Sequence, residues 1–280
     1  MLYFVLEMLE STGNQIDLRL RISSVLNAPC LDKSVTGFTT FDLQELEVIK
    51  SPDFAMPSTL RLGHLVERTV AEVFRASENY SILFENLQVV TDGKTIGELD
   101  LIVQEKSSGQ LTHVEIAYKF YLLDPSISND PIKNWIGPNR NDTLYEKLGK
   151  LKTKQFPLLH HPEVAKSMGK ENVKRCEQAL CFMAHLFVPR NSNVNIPADL
   201  SHAIRGDYLT FEDFFQLDHS GKQYHIPKKT DWGIDPSLNE QWLSYENVEE
   251  RLVDGLNDRR ALLCWQKDGN DYSAFFLVWW

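Results

Sequence analysis

The spacing of apolar and polar positions changes several times along the chain, and each change predicts an element. From Gln15 to Ile22 polar and apolar residues alternate with a period of two, which predicts a half-buried strand. After Pro57, Ser58 or Thr59 is placed to cap a helix in which Leu62, Leu65, Val66, Thr69, Val70, Val73 and Phe74 form one stripe at helical spacing. Three strands are predicted next, Ile82 to Val90, Thr95 to Val103 and Leu111 to Leu122. Thr91-Asp92-Gly93-Lys94 and Glu105-Lys106-Ser107-Ser108-Gly109 separate them with turn chemistry. A helix from Asp142 to Phe156, stopped by Pro157, precedes an apolar strand from Ala179 to Val188. The expected order is helix, three strands, helix, strand.

Beyond residue 190 the pattern is mixed. Thr210 is placed to cap a short helix holding Phe211, Phe214 and Phe215, and Ser244 to cap another running to Leu256. Arg260 to Lys267 and Tyr272 to Trp280 flank Asp268-Gly269-Asn270, a hairpin signal. With no internal repeat and no low-complexity linker, one continuous α/β domain is expected. Its parts would be a strand-rich extension over 1–57, a core with a mixed central sheet over 58–190, and an α+β extension over 191–280.

At 280 residues and 42% apolar content the chain can bury a sizeable core, which excludes a disordered protein. The net charge of −10 argues against coating nucleic acid or anionic lipid with the whole surface. Charge is nevertheless segregated: Lys133 to Arg175 holds ten Lys or Arg against four Asp or Glu, net +6, so the other residues carry −16. On the predicted helix Lys147, Lys150 and Lys154 fall on one side and Leu144, Leu148 and Leu151 on the other, forming either a phosphate track or a solvated face. Trp135 and Tyr145 are candidates for stacking on bases or for packing. The four cysteines show no CxxC spacing and read as reduced core thiols. Met1 to Leu9 is apolar but lacks a basic leader and is too short to span a bilayer, so a cytoplasmic location without a membrane partner is expected. Gly93-Lys94-Thr95 has Gln88 where a phosphate-binding loop needs glycine, and GxGxxG and GxSxG are missing, so no nucleotide cofactor is expected.

Pairing the second and third strands about Ser107-Ser108, so that partner numbers sum to 215, sets Asp100 opposite Glu115. One face then carries Ile96, Glu98, Asp100 and Ile102 with His113, Glu115, Ala117, Lys119 and Tyr121, and the other is core. Facing carboxylates lie within about 5.5 Å and repel unless a cation joins them, which suits Mg²⁺ or Mn²⁺. Lys119 on that face is placed to orient water or neutralise a phosphate. A solvated polar face on an amphipathic hairpin would show the same residues.

Gly97-Glu98-Leu99-Asp100-Leu101-Ile102-Val103 and His113-Val114-Glu115-Ile116-Ala117-Tyr118-Lys119 resemble the GE(L/I)D … ExK signature of the PD-(D/E)XK phosphodiesterases. Leu62-Gly63-His64-Leu65-Val66-Glu67 resembles their first-helix glutamate motif. Glu115 to Leu122, Trp135 to Asp142, and on through Gln155-Phe156-Pro157-Leu158 resemble an uncharacterised bacterial domain of unknown function assigned to that group. The resemblance implies a restriction-endonuclease-like αβββαβ core. It also implies metal binding by Asp100 and Glu115, an outer carboxylate from Glu67 or Glu98, and nucleic acid near Asn139, Arg140, Lys147, Lys150, Lys154 and Gln155. One departure stands out: Ala117 occupies the usual lysine position, and Lys119 comes two residues, about 6.6 Å, later. The expectation is therefore a Mg²⁺-dependent nuclease acting on DNA or RNA. Its alternatives are a nuclease-like scaffold that binds nucleic acid or protein without cleavage, and a hydrolase of a small phosphorylated molecule.

Overall fold

The computed structural model describes residues 18–48, 60–191 and 194–280. In chain order the longer elements are α1 (Leu18–Leu26), α2 (Leu62–Arg75), β1 (Tyr80–Thr91), β2 (Lys94–Glu105), β3 (Leu111–Leu123), β4 (Trp135–Ile136) and α3 (Leu144–Lys150). There follow α4 (Pro162–Met168), α5 (Lys170–Arg175), β5 (Glu177–Pro189), β6 (Ile204–Thr210), α6 (Phe211–Phe215), β7 (Lys222–His225), α7 (Tyr245–Asn257), β8 (Leu262–Asp268) and β9 (Asp271–Val278). The fold is mixed α/β with a large mixed sheet and several helices. Two compact units divide it: residues 1–118 with 148–183, and residues 119–147 with 184–280.

In the first unit the strands run in the order β1-β2-β3-β5, and α2 packs on α1 and β1. The stripe expected on α2 is its buried face: Leu62, Leu65, Val66, Thr69, Val70, Val73 and Phe74 are all buried. Arg61 occupies the N-cap position, while Ser58 and Thr59 lie outside the described residues. Val89, Leu99, Ile102, Leu111, Leu159, Val164, Met168 and Val173 form a core beneath α4 and α5. The described part of the strand expected from Gln15 to Ile22 is helix instead. Residues 18–22 lie in α1, and 15–17 fall outside the described residues. The alternation of Leu18, Leu20 and Ile22 also fits a helix once Val25 and Leu26 extend the buried side, an ambiguity inherent in short apolar runs. Among the described residues from 27 to 48 the chain makes short helical turns and isolated bridges; residues 1–17 and 49–57 of the expected strand-rich extension lie outside the described residues.

In the second unit β6 pairs in parallel with β5 and β9, and β8 lies antiparallel between β9 and β7. The expected C-terminal hairpin is present, pairing Asp268 with Asp271 across Gly269-Asn270. Thr210 caps α6 by accepting from the Asp213 amide. Phe211, Phe214, Tyr224, Val248, Leu252, Cys264, Phe275 and Leu277 form its core. Gly206 of β6 passes so close to β9 that a Cβ there would overlap the Ala274 carbonyl oxygen.

The helix expected from Asp142 to Phe156 is not uniform. It is α-helical over Leu144–Lys150, widens to a π turn over Leu151–Gln155 and tightens to 3₁₀ over Phe156–His160, with Pro157 inside the last segment rather than ending it. Such a π turn rotates the side chains after it relative to a straight α-helix. The even lysine stripe drawn on ideal spacing is broken there.

Candidate functional site

The β2–β3 register has the expected sum: Leu101 faces Val114, Ile102 faces His113 and Val103 faces Thr112. The regular ladder ends at Leu101 and Val114, one pair before the two acids. There the Asp100 carboxylate replaces a backbone partner, its Oδ2 accepting from the Ile116 amide at 2.8 Å. The acidic face is not open to solvent. Asp100 is 7% exposed, and Glu115 and His113 are both 0% exposed. Since β3 is flanked by strands on both sides and covered on both faces, its pattern is one of near-continuous burial rather than alternation.

A buried carboxylate persists only with donors on its oxygens. Glu115 has them: His113 Nε2 lies 2.8 Å from Oε1, and Gln155 Nε2 lies 2.8 Å from Oε2. The proton positions follow from the surroundings. The Phe156 carbonyl can only accept, so the Gln178 atom 2.7 Å from it is the amide nitrogen, and that same nitrogen sits 3.2 Å from His113 Nδ1. Burial lowers the His113 pKa from the ordinary 6.5 to about 4, against the opposing pull of the Asp100 charge, so the ring is neutral at pH 7. Its Nδ1 therefore accepts from Gln178, and Nε2–H donates to Glu115. Phe156 packs edge-on to the His113 ring, with centroids 5.7 Å apart, and Phe38 stacks on Phe156 at 4.4 Å.

Other candidates have neighbours of their own. Glu67, on α2, bonds His64 at 3.0 Å, and Glu98 is half-buried opposite Gln88 of β1. Gly97 beside it has a packing reason: a Cβ there would overlap Leu158. In the second unit Lys119 donates to Asp142 at 2.8 Å. The run from Trp135 to Asp142 makes its contacts within that unit. Trp135 is fully buried, the Gly137 amide donates to the Asp142 carbonyl at 2.7 Å, and a Cβ on Gly137 would overlap the Asp142 carboxylate. Asn139 Oδ1 accepts from the Ala261 amide at 2.9 Å. Arg140 donates to Asp124 at 3.2 Å and lies over the Trp280 ring. Asn139 and Arg140, expected at nucleic acid, thus make internal contacts.

A family described as a domain of unknown function (DUF1853) matches residues 35–269. The chain belongs to the DUF1853 family. No curated protein and no solved structure matches it.

Whether this DUF1853 chain offers a divalent-ion site is a matter of lone pairs. Mg²⁺ requires near-octahedral oxygen ligands at about 2.0–2.1 Å and usually keeps several waters. Glu115 is sealed, with both oxygens accepting hydrogen bonds from side chains, and Asp100 Oδ2 is committed to the Ile116 amide. Among the described residues no three His, Cys, Asp or Glu side chains form a group that could hold a metal. With Glu115 closed to solvent and both its oxygens on side-chain donors, the two acids as placed do not suit an ion that keeps several waters. Among the described residues no helix is long and apolar enough to cross a membrane.

Gln155, expected at nucleic acid, braces the acid, and Gln178 is a partner the sequence reading does not single out. A polar residue at the start of an otherwise apolar strand segment, Glu177-Gln178-Ala179-Leu180, is the only hint the second offered.

Proposed function

We propose that this chain is a nuclease-like scaffold of the PD-(D/E)XK type that binds nucleic acid and does not cleave it. The element order α2-β1-β2-β3-helix-β5 and the acids at the end of the β2–β3 ladder support kinship with that superfamily. One observation carries the absence of cleavage: both oxygens of buried Glu115 are taken by a neutral His113 and by Gln155. Binding is supported by the helical segment that ends in Gln155. Lys150, Lys152 and Lys154 stand exposed on it, whereas Lys166 and Lys174 are paired with Glu163 and Glu171. Closely spaced exposed ammonium groups attract phosphates by counterion release.

Three measurements test this reading. Mg²⁺ or Mn²⁺ should leave the thermal midpoint unchanged, because an ion at 100 times its Kd would add about 2.7 kcal/mol. Labelled DNA and RNA should bind with salt-sensitive affinity and remain intact. Replacing Lys150, Lys152 and Lys154 with Gln should reduce the slope of log K against log salt on duplex DNA by about 2 to 3. Metal-dependent cleavage abolished by Asp100→Ala would overturn the proposal and restore the nuclease. Absence of any salt-sensitive nucleic-acid binding would overturn it in favour of a protein partner.

A further inference from the structure

Residues 30–41 wrap around β5 in the first unit. The Leu31 amide donates to the Phe182 carbonyl at 2.9 Å, and Cys30 bridges to Met183 in antiparallel fashion. A few residues on, the Phe41 amide donates to the Leu180 carbonyl at 3.0 Å, and the Leu180 amide donates to the Thr39 carbonyl at 2.8 Å. Between these attachments, Cys30 Sγ and Cys181 Sγ lie 3.8 Å apart, with Cys30 Sγ also 3.9 Å from the Phe41 carbonyl. A disulfide has its sulfurs about 2.05 Å apart, so they must close by less than about 2 Å. Cys30 is partly exposed and Cys181 is fully buried. The same wrapping segment carries Phe38, whose ring stacks on Phe156 beside His113.

We propose that Cys30 and Cys181 are a redox pair, closed by small-molecule disulfides into a bond that staples the segment over the acid network onto β5. Cys30, the accessible thiol, attacks the disulfide RSSR as thiolate; its Sγ bonds to one sulfur and RS⁻ departs. Cys181 Sγ then attacks Cys30 Sγ, forming the protein disulfide and expelling the second RS⁻. The two protein thiols give up two electrons and two protons, and RSSR becomes two RSH, so atoms and charge balance. Cys181 is the resolving thiol because its sulfur is closed to the reagent and touches Cys30; that contact first, and burial second, push its pKa well above the ordinary thiol value. Cys176 and Cys264 are internal controls: both are buried, and burial pushes the Cys176 thiol up to about 11 and Cys264 higher still. This inference does not rest on nucleic-acid binding, and its readouts involve none.

The test uses the whole chain equilibrated with oxidised glutathione. Two of the four thiols should disappear, the intact mass should fall by two hydrogens without added glutathione, and peptide mapping should link Cys30 to Cys181. Amides of residues 30–41 should exchange several-fold more slowly in the oxidised protein, and dithiothreitol should reverse every change. Cys181→Ala should instead carry one glutathione on Cys30. Cys30→Ser, altered at a partly exposed position, serves if the core variant does not fold, and it should keep its three remaining thiols. Stable glutathione on Cys30 of the unaltered protein, loss of thiols from Cys176 or Cys264, or full retention of all four thiols would each overturn the pair.

Discussion

Replacing Gln155 by Leu tests the arrangement on which the functional reading depends. Leu keeps much of the side-chain volume but removes the amide that donates to Glu115 Oε2 at 2.8 Å. The carboxylate is wholly buried, so water cannot take over without opening the core. Hydrogen bonds to charged acceptors contribute about 1.5–3 kcal/mol, and an acceptor left unsatisfied in the interior costs a comparable amount. A loss of about 2 kcal/mol is expected, which for a chain of this size lowers the thermal midpoint by about 3–4 °C. Urea titration at pH 7 would measure it. The decisive comparison adds Glu115→Leu: with the charge gone, losing Gln155 should cost little, so the pair should show a coupling of about 1–3 kcal/mol. Losses that add without coupling would refute the claim that Gln155 is what makes this buried acid tolerable.

Stability should also depend on pH through His113. Its folded value, about 4, lies below the ordinary 6.5, so as pH falls the unfolded chain takes up the proton first. The His113 contribution is complete above pH 6.5 and fades between 6.5 and 4, for a total of about 3 kcal/mol. The difference between wild type and His113→Gln, followed by denaturant titration across that range, should show it; a flat difference contradicts it. Gly206→Ala should destabilise by about 2 kcal/mol or more, seen as a lower thermal midpoint, because the added Cβ meets the Ala274 backbone oxygen and β9 must move. Thr210→Ala should cost about 1 kcal/mol by the same measurement, since it frees the Asp213 amide at the start of α6.

Much of the fold was legible because its elements are long and strongly patterned. The α2 stripe, the three strands that follow, β5 and the C-terminal hairpin all occupy their expected stretches, and the Ser107-Ser108 tip set the right β2–β3 register. The misreadings occur where pattern is short or geometry departs from the ideal. Five residues from Leu18 to Ile22 fit two periods equally, and only the helical continuation through Val25 and Leu26 separates them. The π turn at Leu151–Gln155 has no signature in its composition, yet it decides where Gln155 points. Short pieces such as β4 and α4 gain their stability from tertiary contacts that no local window contains.

The candidate site was half legible for a related reason. Two acids at facing positions of a hairpin are visible in the sequence, but their meaning depends on what else reaches their oxygens. On an open face, repulsion between Asp100 and Glu115 calls for a cation. In a closed one, neutral donors do the same work. Here they come from Ile116 on the strand itself, from His113 two residues before Glu115, and from Gln155, 40 residues away in the chain. Lys119 shows the converse. Its spacing from Glu115 suggested a displaced catalytic lysine, but its ammonium is held by Asp142, seated over a glycine whose missing side chain makes room for the carboxylate. A motif supplies charges at intervals, and burial with long-range donors determines whether they remain reactive. That is why Gln155, a residue outside the acid motif, is the position whose replacement tests whether a distant neutral donor is what keeps Glu115 buried.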